Sequence, residues 1–241
     1  MEIIPVQIEK EIEPSDDLSK LIASSTQIQD GDILVIAQKV ISKQEGRMID
    51  LSTVKPSLLS EGISSQYQKD PRITELILSE SKRIIRMKNG VLIVETHDGI
   101  ICANAGIDES NVKAGFATLL PINSDKSAKI IREKILEHTQ KDVAVIISDT
   151  FGRPFRMGQT NCAIGISGLL PIVDYEGTQD TFGKTLRVTA IAIADELSGA
   201  SELVMGKILK TPVAIIRNYS YQKGDYMTSE LIRQETGDLF R

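Results

Sequence analysis

Cysteine and histidine are scarce in this chain, with two of each among 241 residues. Cys102 and Cys162 are far apart and form no CxxC pair, which argues against a zinc site or a disulfide framework and fits a reducing cytoplasm. Both lie in apolar strings, GIICANAG and NCAIGIS, and read as buried structural thiols. His97 and His138 are isolated; His138, in ILEHTQKD, reads as a residue near a helix C-terminus, where a cation suits the dipole. No apolar run approaches the ~20 residues that span a bilayer. The opening MEIIPVQIEKEIEP carries charge throughout and lacks the hydrophobic segment of a secretory leader. A net charge of -5 speaks against a nucleic-acid partner, so only a local basic cluster can argue for an anionic ligand.

The familiar phosphate loops are missing too. There is no GxxxxGK[ST]; the nearest string, GRPFRMGQT, has the wrong spacing and no lysine. No GxGxxG follows a strand, and no GxSxG supplies a nucleophile elbow. AIGISG is glycine-rich, but reads as a place of close packing or turning.

What is present has the composition of a globular protein, 41% hydrophobic and 25% charged. The segment 32–42, DILVIAQKVIS, reads as a buried strand that runs into polar residues. VLIVETHDGIICANAGI (91–107) reads as a hairpin turning at HDG, and VAVIIS (143–148) as a buried strand. SDKSAKIIREKILEHTQ has the periodicity of an amphipathic helix, with Ile130, Ile131, Ile135 and Leu136 on one face and Ser124 or Asp125 as N-cap. KPSLLSEGISSQYQKDPRITELILSESKRIIR reads as helical with polar interruptions, and 56–71 as a surface excursion or boundary. TLRVTAIAIADELSGASELVMG passes from strand to helix, TPVAIIRN is a strand, and a short helix is expected at 228–235. The class is a mixture of helices and sheets.

Three clusters share one layout, an apolar run ending in polar residues. The first offers Lys39, Lys43 and Arg47, the second Asn104, Asp108, Glu109 and Asn111, the third Asp149, Thr150, Arg153 and Arg156. Ligands in α/β proteins collect beyond strand ends. Asp108 and Asp149 are oxygen donors without a histidine or thiol partner, a set that suits Mg²⁺ or Mn²⁺. Basic side chains nearby would neutralise phosphate, arginine through paired hydrogen bonds. The plain alternative is that the aspartates are turn residues and the basic groups merely solvated. On residues alone the reading stops at a metal and anion site.

Taken together, VISKQEGR, CANAGIDESNV, ISDTFGRPFRMG, AIGISG and LVMGK, in this order along essentially the whole chain, resemble the coenzyme F420-0:L-glutamate ligase family. These are GTP-dependent enzymes that add γ-linked glutamates to a deazaflavin redox coenzyme. The resemblance implies a single catalytic unit over 1–241 with an α+β fold of two subdomains, an intertwined homodimer, and the stand-alone form without a fused flavin-binding domain. It also implies two divalent cations, Mg²⁺ or Mn²⁺, and a stimulating K⁺. Asp108 and Asp149 fall on its metal-binding carboxylates, with Thr150 at the second ion; Arg153 and Arg156 lie in the motif expected to hold an anion. Gln38, Lys39, Lys43 and Asn111 match GTP-contacting positions, as do Glu9, Lys10, Glu11 and Ile12 near the N-terminus and Met205, Gly206 and Lys207 in LVMGK. Two departures stand out. Lys207 replaces a glutamate that in some relatives helps hold the second metal, and VQIEKEIEP replaces a more apolar turn, leaving Glu9 to Ile12 with backbone contacts. The implied reaction phosphorylates a carboxylate with GTP and lets the glutamate amine attack the acyl phosphate. Rival readings are a metal-dependent phosphohydrolase and a non-catalytic nucleotide or coenzyme binder.

Overall fold

A computed structural model describes residues 1–238. In chain order the strands and helices are β1 (Glu2–Val6), α1 (Leu18–Ser25), β2 (Ile33–Ala37), α2 (Gln38–Gln44), β3 (Met48–Asp50), α3 (Leu58–Tyr67), α4 (Pro71–Ser79) and β4 (Ser81–Lys88). They continue with β5 (Val91–Thr96), β6 (Ile101–Ala103), β7 (Phe116–Thr118), α5 (Ser124–Thr139), β8 (Ala144–Arg153), β9 (Arg156–Ser167), β10 (Val173–Asp174), β11 (Ala190–Ile191), α6 (Ile193–Met205) and β12 (Val213–Arg217).

The main sheet runs β1-β12-β2-β8-β9, and β2 beside β8 is its parallel pair. Its central strands are covered on both faces, which is why they read as unbroken apolar runs rather than as alternating ones. Alternate residues serve the two cores. Leu34, Ile36, Val145, Ile147, Val213 and Ile215 pack with α1 and α5; Ile33, Val35, Ala144, Ile146, Ala214 and Ile216 pack with α6. A separate sheet, β4-β5-β6, carries its own core of Ile63, Ile77, Leu92, Val94 and Ala105 beneath α3 and α4.

The hairpin at HDG, the strand at 143–148 and the strand in TPVAIIRN are present as expected. Other expectations change. Asn123, not Ser124 or Asp125, caps α5, its side chain accepting from the Lys126 amide at 2.8 Å. Ile130 and Leu136 are exposed; the buried stripe of α5 is Ala128, Ile131 and Ile135, narrower than the apolar count suggested. The segment 56–71 is more than a surface excursion, because Ser60, Ile63 and Ser64 of α3 are buried. SKRIIR forms the bulged strand β4 rather than helix, with its basic side chains outward, as sheet edges tolerate. TLRVT is part of the return leg of an exposed arm, 173–191, and is not itself strand; the arm's base is the pair β10–β11, and only Ala190–Ile191 is strand between TLRVT and α6. The helix expected at 228–235 is two single 3₁₀ turns, Thr228–Leu231 and Glu235–Gly237. The reading of AIGISG holds: Gly165 lets β9 touch α5, where a Cβ would lie 2.5 Å from the Ser124 backbone.

Candidate functional site

The parallel pair sets the site. Ala37 of β2 pairs with Ser148 of β8 as the last rung of the parallel pair, so Gln38 and Asp149 follow it side by side. From there the strands diverge. β2 turns at once into α2, while β8 runs on to Arg153 with β9 as its antiparallel partner. A register shift between Ile147 and Ser148 re-aims the side chains where the sheet narrows. Ser148, beside Asp149, buries its hydroxyl without a partner.

Lys39 and Lys43 stand one turn apart on α2 and face the loop 108–111, which arrives from the small sheet. Lys39 Nζ donates to Asp108 Oδ2 at 2.7 Å and to the Ser110 carbonyl at 2.7 Å. Lys43, itself buried, donates to the Asn111 carbonyl at 3.2 Å and to Glu11 of the N-terminal loop. The route to Asp108 is strained. Asn104, Ala105 and Gly106 take left-handed φ values of 53, 53 and 68° in succession, costly for the two non-glycine residues. A Cβ at position 106 would meet Leu120 at 2.7 Å. Asp108 is then fixed by reciprocal backbone bonds with Thr118, at 3.1 and 2.9 Å, and accepts the Ser110 amide at 2.7 Å in an Asx turn. No helix follows that turn.

The two aspartates differ electrostatically. Burial works against the charge of Asp108, but Lys39 and the Ser110 amide and hydroxyl outweigh it and hold the carboxyl below its ordinary range. Burial pushes Asp149 up to about 6, helped by the negative charge of Asp108 and opposed by the Thr150 amide, Lys207 and Lys39. Cys102 and Cys162 belong to its surroundings. Desolvation and then the Asp149 charge push Cys102 up to about 12; desolvation, then the Asp195 charge and last that of Asp149 push Cys162 up to about 11, so both remain protonated.

Thr150 lies opposite Asn161 across the β8–β9 ladder and donates to its Oδ1 at 2.7 Å. Asn161 Nδ2 donates to Glu202 of α6 at 3.1 Å. Lys207 donates to Thr150 Oγ1 at 2.6 Å and reaches Glu202 Oε1 at 3.1 Å. Asn161 and Glu202 are the members of this cluster that sequence reasoning missed. Both lay inside strings already singled out, Asn161 opening NCAIGIS and Glu202 just before LVMGK.

The remaining candidates distribute unevenly. Ile12 anchors in the main core, holding Glu11 over Lys43; Glu9 pairs with Lys210 at 3.5 Å, and Lys10 turns to Asp16. Gln38 is buried and accepts from Ser42. Asn111 contributes its carbonyl, with a left-handed φ of 54°. Met205 is buried under the sheet, and Gly206 reverses the chain at φ 58°, ψ 179°, a region nearly reserved for glycine. The structure does not bring Arg153 and Arg156 to the carboxylates. They stand exposed at the hairpin tip, where Arg153 donates to the Met157 carbonyl at 2.8 Å. Nor is Arg47 nearby; it holds Glu80 and the Leu120 carbonyl. Glu109 is exposed.

Among the described residues no three His, Cys, Asp or Glu side chains converge into a protein-built metal cage. Asp108 and Asp149 supply carboxylate oxygens of the kind a hard cation takes together with waters and phosphate oxygens, with Lys39 and the Ser110 hydroxyl having to release Asp108 Oδ2. Around Thr150 the fit fails, because a lysine ammonium already takes the oxygens.

The profile of the F420-0:Gamma-glutamyl ligase family matches residues 7–218. The chain belongs to this ligase family. It is 40% identical to the coenzyme F420:L-glutamate ligase of Methanopyrus kandleri, covering 100% of this chain and 98% of that one. The proteins of the same name from Methanothermobacter thermautotrophicus and Methanocaldococcus jannaschii are each 44% identical. They cover 94% and 93% of this chain, and 93% and 90% of their own. No helix among the described residues is long and apolar enough to cross a membrane.

Proposed function

We propose that the chain joins L-glutamate to coenzyme F420-0 through an amide, giving F420-1, and adds further glutamate to F420-1 through γ-glutamyl linkages, with GTP as the source of activation. The observation that carries this is the gathering of Asp108, Asp149, Lys39, Lys43 and Lys207 where the β2–β8 pairing ends, in a member of a ligase family. A carboxylate and an amine do not condense in water without activation. The γ-phosphoryl group of GTP would pass to the coenzyme carboxylate, giving GDP and an acyl phosphate. The glutamate amine then attacks the acyl carbon, loses its proton and expels inorganic phosphate. Little protein covalent chemistry is needed; positioning and charge neutralisation dominate phosphoryl transfer.

Asp108 and Asp149 would hold a divalent cation, which when bound draws charge from the phosphate oxygens. Lys39 and Lys43, fixed by their carbonyl and carboxylate partners, present ammonium groups on the same side. The N-terminal loop 9–12 and the turn at Met205–Lys207 would border the nucleotide. Apolar side chains left in water on the hairpin, the arm, α6 and the turn after it (Met157, Phe182, Val188, Leu203 and Ile208) support the homodimer.

Mass spectrometry of F420-0 incubated with protein, GTP, L-glutamate and Mn²⁺, each omitted in turn, tests the proposal. A product heavier by whole glutamate residues, formed only in the complete mixture, is the expected result. GDP without a mass change in the coenzyme identifies a phosphohydrolase; nucleotide binding without turnover identifies a binding protein. With ¹⁸O in the coenzyme carboxylate, the label appears in inorganic phosphate if an acyl phosphate forms.

A further inference from the structure

We infer that the Lys207 ammonium is a built-in cation of the site, standing beside Thr150 in place of a second divalent ion, so that the chain binds one such ion and not two. The inference rests on the proposed role of Asp108 and Asp149 in holding the first.

Lys207 and the three polar groups beside it form a cluster closed by an ion pair. Lys207 donates to Thr150 Oγ1 and pairs with Glu202 Oε1 at 3.1 Å; Thr150 donates to Asn161 Oδ1; Asn161 donates to Glu202 Oε2. The cluster draws on β8, β9, α6 and the turn after α6. Its oxygens (a hydroxyl, an amide carbonyl and a carboxylate) are the kinds a hard cation takes. One of the ammonium's protons is given to the Thr150 hydroxyl, and its charge is paired with Glu202. The backbone holds the lysine in place. α6 ends at Met205, and the left-handed Gly206 turns Lys207 back toward β8 rather than outward. A cation at the end of a helix is also favoured by the dipole. A divalent ion inserted at Thr150 would lie against this ammonium and have to displace it.

Consequently one of the positive charges that neutralise the transferring phosphoryl group is carried by the chain itself. This charge does not depend on metal concentration.

Mn²⁺ titrated into the full-length protein with equimolar GDP, with the free ion followed by electron paramagnetic resonance, counts bound ions. The wild type should bind one per chain. Lys207→Gln, which keeps the length and removes the charge, should bind two, and their spectrum should show the coupling of ions about 3.5–4 Å apart. Lys207→Arg should stay at one. Two ions in the wild type would overturn the inference while leaving the proposed function intact. A single ion in the Lys207→Gln variant, with its circular dichroism unchanged, would also overturn the inference. No bound ion in the wild type would overturn the role of Asp108 and Asp149 beneath it.

Discussion

The two lysines of α2 and the two arginines of the β8–β9 tip carry the same charge and follow apolar strands in the same way, yet the fold treats them differently. Lys39 and Lys43 are drawn inward and held by Asp108, Glu11 and two backbone carbonyls. Arg153 and Arg156 are carried outward by a strand that outruns its sheet. Charge and motif alone did not separate the pairs. What separates them is where each strand stops: β2 ends with the sheet, and β8 does not. A turn with Pro154 at its first corner and Phe155 at a φ of 59° closes the hairpin beyond the site.

The largest expected effect comes from the carboxylate between these regions. Asp149→Asn should lower turnover by about 10³-fold or more, the scale of losing a principal electrostatic contact in the transition state. It should also raise the melting temperature of the metal-free protein. The sign follows from burial. A carboxyl raised from 3.8 to about 6 favours folding most at low pH, and that advantage is lost as pH rises through its folded value. At pH 7.5 the charge therefore costs up to about 3 kcal/mol, which the amide removes. A variant both inactive and less stable would break the account of Asp149 as a desolvated, functional group.

Next in size is the comparison itself. Lys39→Met should lower kcat/KM by about 100-fold, near 2.7 kcal/mol, whereas Arg153→Ala should change it less than about threefold. Equal losses would show that the tip reaches a site after all, as the hairpin of a second copy could.

The fold was legible in the sequence wherever burial on both faces wrote an unbroken apolar run, as in LVIA of β2 and AVII of β8. It was less so where context decided, as with SKRIIR, whose edge position and bulges outweigh a helical reading. The site was legible as residue types in three strings. Which string meets which was not, because the Lys39–Asp108 contact joins residues 69 apart and depends on the bridge of Asp108 to Thr118 and the pairing of β7 with β3, which no local pattern encodes. Glu202 was hidden for a related reason: a glutamate on a helix reads as solvated until the facing strand is known.

A third outcome concerns pH. Because Asp149 must be ionised to hold a cation and Asp108 already is, Mn²⁺ affinity should be level above pH 7. Below about pH 6 it should fall by close to tenfold per unit. Calorimetric titrations at pH 5, 6, 7 and 8 read this slope; an affinity unchanged from 8 to 5 would contradict the raised carboxyl. The smallest effect is on the thiols. Cys102 and Cys162, pushed up to about 12 and about 11, should resist alkylation in the native protein at pH 8 and react on unfolding. Rapid modification of Cys162 in the folded chain would mean that the wall beside Asp149 is open.

The central claim is that carboxylates delivered by two different sheets serve one cation. Mn²⁺ affinity of the wild type, Asp108→Asn and Asp149→Asn at pH 7.5 tests it most directly. Each substitution should weaken binding by about tenfold or more. Loss in Asp149→Asn with wild-type affinity in Asp108→Asn would contradict a shared site and leave Asp108 as the partner of Lys39 alone.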